Sequence, residues 1–285
     1  MLFRELEKIV GEEKQKGSLT SLIRNLLKEY LQVYVLYFIY TSPPYHKNLI
    51  FTGGTCLRHF FGLERLSEDL DLDYLEKLDS TRLAAELENF FKIHFRYAET
   101  NISVRQQGKQ ILIKFPVLKQ LELAQSWESD WLYVKLDLSE NPSSHYAVET
   151  TSKSKFGFNF VAKHYDLNTL MAGKMHAILT RSYLKGKNDE YSLKGRDYFD
   201  LLWFVKQGVI PNLARLNDLL GKQMRLGEVE ILVNEKVKEL VTRHRNDFQR
   251  DLVPLVRYPD FIKSYIENYA DEYFRYESLS FKKID

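Results

Sequence analysis

Cysteine is nearly absent: Cys56 stands alone among 285 residues, so no intrachain disulfide can form and the disulfide-stapled secreted class is excluded. The opening residues MLFRELEKIV lack the basic, apolar and small-residue order of a secretory signal, and the expected compartment is the cytosol. Long apolar runs are missing too. The longest, Tyr30 to Tyr40, covers about 11 residues, carries Gln32 and falls well short of the roughly 20 needed to cross a bilayer, so no membrane partner is expected. Neither sign of charge dominates: 41 Lys and Arg against 39 Asp and Glu leave a net charge of +2. Any recognition of a polyanion must therefore be local. The seven prolines are scattered, no repeat or low-complexity segment stands out, and composition marks no interdomain linker.

What remains is an ordered globular composition, 44% hydrophobic, 28% charged and 14% aromatic. The length allows one large or two ordinary domains, with on the order of 75% of the extended-chain surface buried.

Apolar residues from Leu19 to Tyr37 recur at spacings of three and four, which predicts a helix over 19–41, stopped by Pro43 and Pro44. Asn48 to Thr52 reads as a short strand. Gly53 and Gly54 follow, and a helix opens over Thr55 to Phe61. Asp69 to Tyr74 alternates carboxylate and leucine, the period of a strand. A helix is expected over Ser80 to His94, capped by Ser80 or Asp79, and further strands over Gln110 to Val117 and Trp131 to Leu138. After Asp166 the pattern is helical only: Leu167 to Tyr183, Gly195 to Gln207, Pro211 to Lys222, Leu226 to His244 and Pro259 to Tyr276. A run of strands followed by a run of helices predicts an α+β fold, a mixed sheet with flanking helices and then a C-terminal helical bundle. The expected domains are 1–155, and 156–285 contributing to the active-site cleft.

The chemistry concentrates in FTGGTCLRHFFGLERLSEDLDLDY, residues 51–74. Gly53 and Gly54 let the backbone approach a ligand, the following helix offers unpaired N–H groups at its positive end, and Thr55 adds a hydroxyl; together they suit a phosphate. Asp69, Asp71 and Asp73 at i, i+2 and i+4 project from one face of a strand. Their mutual repulsion calls for a cation, and hard carboxylates without neighbouring histidine or cysteine suit Mg²⁺, which takes one or two carboxylates plus substrate phosphates. Each feature alone has an ordinary explanation: a glycine pair before a helix is common, and an acidic strand can be a solvated edge that discourages aggregation.

The ordered set GGT, short helix, then R-x-S-x-D-x-D (Arg65, Ser67, Asp69, Asp71) resembles the signature of nucleotidyltransferases of the DNA polymerase β-like superfamily, and specifically AbiEii-type toxins. The resemblance implies that Gly54 and Thr55 hold the phosphates of an NTP, alongside Gly53, Arg65 and Ser67, and that Asp69 and Asp71 bind Mg²⁺. A second block, residues 166–205, is similar to the same family: a helix with Lys174 and Arg181, a variable polar loop, then R-D-x-x-D as Arg196, Asp197 and Asp200. At i and i+7, Lys174 and Arg181 can face one ligand. The resemblance makes Lys174 a phosphate contact and Asp197 the acid of the last motif, with Asp200 a partner of Arg196. On spacing alone these charges could equally form surface pairs worth at most about 1 kcal/mol. Asp137 is the candidate third carboxylate, although Lys135, two residues away, offers it an ordinary charge pair.

The basic segment KVKELVTRHRNDFQR, 236–250, could track RNA or be a solvated helix face. His145 and His164 stand apart in sequence, His176 turns away from Lys174, and Cys56 reads as a buried packing residue. The expectation from the resemblance is a Mg²⁺-dependent enzyme that transfers a nucleoside monophosphate to an acceptor such as the tRNA 3′ end, as the toxin of a toxin–antitoxin or phage-defence pair whose antitoxin is encoded separately. The alternatives are a protein or small-molecule acceptor, or a non-catalytic nucleotide- or RNA-binding module.

Overall fold

The structure, a computed structural model, describes residues 2–181, 184–185, 190–191 and 194–281. Two compact units divide the chain: Met1–Asn141 with Glu149–His164, and Pro142–Val148 with Tyr165–Asp285.

In the first unit, seven strands form one mixed sheet: β1 (Leu49–Thr52), β2 (Asp69–Tyr74), β3 (Asn101–Arg105), β4 (Gln110–Pro116), β5 (Trp131–Glu140), β6 (Val148–Lys155) and β7 (Phe158–Tyr165). Their order is β3-β4-β5-β2-β1-β7-β6. β2 runs antiparallel to β1 and parallel to β5, while β7 runs parallel to β1. Helices α1 (Leu2–Gln15), α2 (Thr20–Thr41), α3 (Gly53–Phe60) and α4 (Ser80–His94) belong to the same unit.

Strand alternation determines what each face does. On β2 the leucines Leu70 and Leu72 point one way; on β5 so do Leu132, Val134, Leu136 and Leu138; on β4 so do Ile111, Ile113 and Phe115. All are buried, with α2 packed on β5 and α4 on β3 and β4. Each such side chain contributes roughly 1.5–3 kcal/mol when fully buried. The opposite face carries Asp69, Asp71 and Asp73. The hydrophobic half of the pattern thus fixes the register that aligns the carboxylates. Asp79, rather than Ser80, caps α4, its carboxylate accepting from the backbone N–H groups of Thr81 and Arg82 at 3.0 Å each.

Three sheet strands, β3, β6 and β7, lie outside the predicted set. β6 reads VETTSKSK and is polar on both faces because it is an edge strand. β7 changes the expected division at residue 155: it sits between β1 and β6, with Phe51 opposite His164, so the sheet continues past that point.

The second unit is built from α5 (Leu167–Thr180), α6 (Gly195–Lys206), α7 (Leu213–Leu220), α8 (Leu226–Arg243), α9 (Arg245–Leu252), α10 (Asp260–Glu267), α11 (Tyr269–Tyr276) and α12 (Ser278–Phe281). α5 packs on α6, α7 and α8, and α6 on α9, α11 and α12. The expected helix over 167–183 ends at Thr180, with Arg181 already extended; residues 182 and 183 lie outside the described residues. The polar segment that follows is not purely helical, since Leu184–Lys185 and Glu190–Tyr191 pair as two short antiparallel strands, β8 and β9. The single helix expected over 259–276 is two, α10 and α11, separated at Asn268.

Candidate active site

The glycine turn and the R-x-S-x-D-x-D segment interlock residue by residue. Gly53 has φ +76, and a Cβ there would lie 2.0 Å from Asp71 Oδ2. A Cβ on Gly54 would lie 2.6 Å from Arg65 Nη2 and 3.2 Å from Ser67 Oγ. The Thr55 hydroxyl donates to the backbone carbonyl of Asp69 and is fully buried. Each residue of GGT is therefore matched to a different residue of the second motif. Thr55, expected at the phosphate, directs its hydroxyl into this lock; its backbone N–H still belongs to the first turn of α3. Thr52, at the N-cap position, makes no side-chain cap hydrogen bond. The positive end of α3 thus opens with no side-chain cap, the arrangement that accepts an anion.

Arg65 is 1% exposed and donates to the Leu66 carbonyl at 2.9 Å. Ser67 is buried as well. Behind them, Gln32 of α2 donates to the carbonyls of Ser67 and Glu68 at 3.2 and 2.9 Å. The one polar residue in the longest apolar run is a clamp on the strand entry, a role that an interruption of hydrophobicity does not reveal.

Across the polar face of the sheet, Thr52, Asp71, Asp137 and Gln110 occupy one row on β1, β2, β5 and β4. Adjacent strands stand about 4.8 Å apart, which makes Asp137 a direct neighbour of Asp71. Gln110 Nε2 donates to Asp137 Oδ1 at 2.8 Å. In the next row Lys135 lies beside Asp69, Nζ to Oδ1 3.4 Å. The lysine that sequence spacing offered to Asp137 thus goes to Asp69, and Asp137 is held by a neutral amide. The registers of β5 with β2 and with β4 make this choice, and adjacency in sequence carries no trace of it. Asp73 is buried, opposite Ser139.

No three His, Cys, Asp or Glu side chains among the described residues converge as a complete metal cage. Mg²⁺ does not require one, because it takes one or two carboxylates and fills the rest of its octahedron with water and substrate phosphates. Asp69 and Asp71 on one strand face, with Asp71 seated over the glycine turn, are a donor set of that kind.

The second unit holds the other motif. Asp166 caps α5, accepting from the Thr169 N–H at 3.0 Å. Two turns on, Lys174 Nζ lies 2.8 Å from both Asp197 Oδ1 and Asp200 Oδ2 of α6. Arg181 Nη1 reaches Asp197 Oδ2 at 2.7 Å. Asp200, expected as a partner of Arg196, pairs with Lys174, and Asp197 and Asp200, three residues apart, share one face of α6. These are not surface pairs: the Asp197 and Asp200 side chains are 5% and 0% exposed. Burial alone would raise the Asp197 carboxyl, but Lys174 and Arg181 outweigh it and hold the group well below the usual carboxylate range. A buried ionic cluster is a weak device for stability and a strong one for fixing geometry.

Other candidates resolve plainly. Cys56 is fully buried, and burial pushes its thiol pKa up, which suits packing and not nucleophilic attack. His145 Nδ1 lies 2.9 Å from Asp218 Oδ2, and His164 bonds Thr151 at 2.9 Å. In the basic segment, Lys236 pairs with Glu239 at 3.0 Å, Arg250 pairs with Asp247, and Lys238 lies over the Phe274 ring at 5.8 Å. Much of that charge is compensated locally.

The sequence pattern described as "Nucleotidyl transferase AbiEii toxin, Type IV TA system" matches residues 36–272, and the chain belongs to that family. It is a nucleotidyltransferase. Among solved structures, the fold is similar to MenT4, a nucleotidyltransferase toxin from Mycobacterium tuberculosis H37Rv, with TM-score 0.56 and 16% identity over 96% of this chain and 94% of that one. JHP933 from Helicobacter pylori matches with TM-score 0.48 and 14% identity over 90% of this chain and 93% of that one. A comparison with curated protein sequences found no match. No described helix is long and apolar enough to cross a membrane.

Proposed function

We propose that the enzyme transfers a nucleoside monophosphate from an NTP to the 3′ end of tRNA in a Mg²⁺-dependent reaction, as the cytoplasmic toxin of a toxin–antitoxin or phage-defence pair whose antitoxin is a separate protein. The interlock of GGT with R-x-S-x-D-x-D carries this reading, because it places an anion-accepting helix end and two same-face carboxylates against one turn.

In this reading the backbone N–H groups of Gly54 and Thr55 receive the NTP phosphates. The absence of side chains at Gly53 and Gly54 keeps the turn open, and Arg65 and Ser67 back it from behind. Asp69 and Asp71 would hold Mg²⁺, which when bound neutralises phosphate charge and acidifies the attacking hydroxyl. Asp137, oriented through Oδ1 by Gln110, accepts the proton of the acceptor 3′-hydroxyl as its oxygen bonds the α-phosphorus of the NTP, the α–β phosphoanhydride bond breaks and pyrophosphate leaves. In the second unit, Lys174, positioned by Asp197 and Asp200, is the phosphate contact that the family resemblance implies, with Arg181 beside it on Asp197.

The test is incubation of the full chain with Mg²⁺, total bacterial tRNA and each α-labelled NTP, beside Asp69→Ala/Asp71→Ala. Label on tRNA only with intact carboxylates is expected, and the labelled NTP names the base. Label on protein instead identifies a different acceptor, and no transfer to any acceptor with any NTP overturns the reading.

A further inference from the structure

Edge strand β6 carries Lys153 and Lys155 two residues apart, so both side chains leave the same face of the strand. They meet the C-terminal end of α3 and the body of α2. Lys155 Nζ pairs with Glu29, Arg58 Nε lies 3.2 Å from the same carboxylate, and Lys153 Nζ donates to the His59 carbonyl. Two cations, Arg58 and Lys155, share one carboxylate, and the third, Lys153, has no carboxylate partner among the described residues. The anion lies at the bottom, with the Glu29 side chain 5% exposed, while Arg58 and Lys155 open outward at 28% and 26%.

The arrangement is electrostatically unfinished. Burial lowers the Lys153 pKa, and repulsion from Lys155 and Arg58 lowers it further. His59 beneath is 4% exposed with neither ring nitrogen hydrogen-bonded in the structure. Lys153 caps the His59 carbonyl and Arg58 Nη1 also donates to the carbonyls of Leu63 and Glu64 at 3.1 and 3.0 Å, but these neutral partners leave one carboxylate against three positive charges. An anion from outside would relieve both the repulsion and the desolvation.

We propose that Arg58, Lys153 and Lys155 form a phosphate seat for the backbone of the acceptor RNA, a few nucleotides from the reacting 3′ end; the assignment rests on the RNA-acceptor reading above. Gly54 and Arg58, at i and i+4, lie on one face of α3. Four residues of helical rise put them about 6 Å apart along the axis. At roughly 3.4 Å per nucleotide of a stacked strand, that span corresponds to about two nucleotides. The seat reads charge and spacing and carries no base specificity.

The test measures binding of labelled total tRNA by the full chain as a function of salt. Lys153→Gln is expected to weaken binding roughly three- to tenfold at low salt and to make the slope of log affinity against log salt shallower by about 0.7 to 1, with nucleotide affinity and melting temperature unchanged. Lys153→Arg is expected to restore both. A measurement without variants accompanies it: lysine-reactive labelling of the wild-type protein, in which tRNA is expected to protect Lys153 and Lys155. Wild-type protein that neither binds nor labels tRNA overturns the RNA-acceptor reading and the seat with it. Transfer to tRNA with an unchanged salt slope in Lys153→Gln and full reactivity of both lysines in the complex overturns the seat alone.

Discussion

Gly53 and Asp71 occupy what would otherwise be the same space: a Cβ added to Gly53 would stand 2.0 Å from Asp71 Oδ2. The residue that shapes the turn and the carboxylate proposed for Mg²⁺ are thus one steric unit, although 18 positions separate them (71 − 53).

Gly53→Ala is expected to reduce transfer by at least about 100-fold, the scale of a small misplacement in a positioned site, and to destabilise by roughly 1 kcal/mol from its positive φ. Gly53→Ala combined with Asp71→Ala removes the carboxylate from the clash and leaves only the Cβ at position 71, 3.0 Å away, so its loss of melting temperature should be smaller than the sum of the two single losses while activity stays absent. Strict additivity of the two melting shifts would contradict the steric coupling.

Gln110 touches Asp137 and nothing in the glycine turn, so Gln110→Ala should lower turnover with NTP affinity unchanged. Gln110→Glu places a second carboxylate against Asp137, which favours the protonated form of the pair. The acid limb of the pH–rate profile should therefore move to higher pH. A profile identical to wild type would remove Asp137 from the proton-transfer role.

In the Lys174 cluster, Asp200→Ala leaves a buried ammonium with one partner fewer and should cost about 3–5 kcal/mol, against less than about 1 kcal/mol for an exposed pair. Acid sensitivity has a defined sign at Asp197. Its carboxyl is held below the ordinary value of 3.8, so the unfolded chain binds more protons in that window. Its contribution is complete above about pH 5 and is lost as pH falls through and below 4. Urea titrations of wild type and Asp197→Asn across this range check the slope.

His59 acts at milder pH. Burial first, then Lys155, Lys153 and Arg58 against the opposing pull of Glu29, push its pKa down to about 3, against 6.5 for the ordinary imidazole. Between those values the unfolded chain carries the proton and the native chain does not, so stability falls as pH drops from 6.5. The loss between pH 7 and 5 should be about 2 kcal/mol, measurable by urea unfolding, and His59→Phe should flatten it.

Much of the site was legible because its two motifs are local. The Asp69–Tyr74 strand shows its period directly, and GGT lies next to its own helix. What was not legible depends on pairings between strands or helices. Gln110 meets Asp137 through a register, Lys135 turns to Asp69 across β2, and Lys174 selects Asp200 through the packing of α5 on α6. Strand β6 lacks the apolar alternation that marks half-buried strands because it is an exposed edge; β7 does alternate, with Phe160, Ala162 and His164 buried between Asn159, Val161 and Lys163, but the histidine on its inner face and the valine on its outer face blur the pattern.

The path of the chain restricts how this enzyme can be rebuilt by recombination. The polypeptide leaves the sheet unit after Asn141, re-enters it at Glu149 and leaves again after His164. Pro142–Val148 is stitched to the helical unit by Ser143 and His145 on Asp218 and by the Ala147 carbonyl on the Asp166 N–H. Neither unit is one continuous stretch of gene, so no single crossover exchanges one for a relative's version. Nucleotide chemistry and its helical companion are inherited as one cassette, and variation has to accumulate within each unit in the presence of the other.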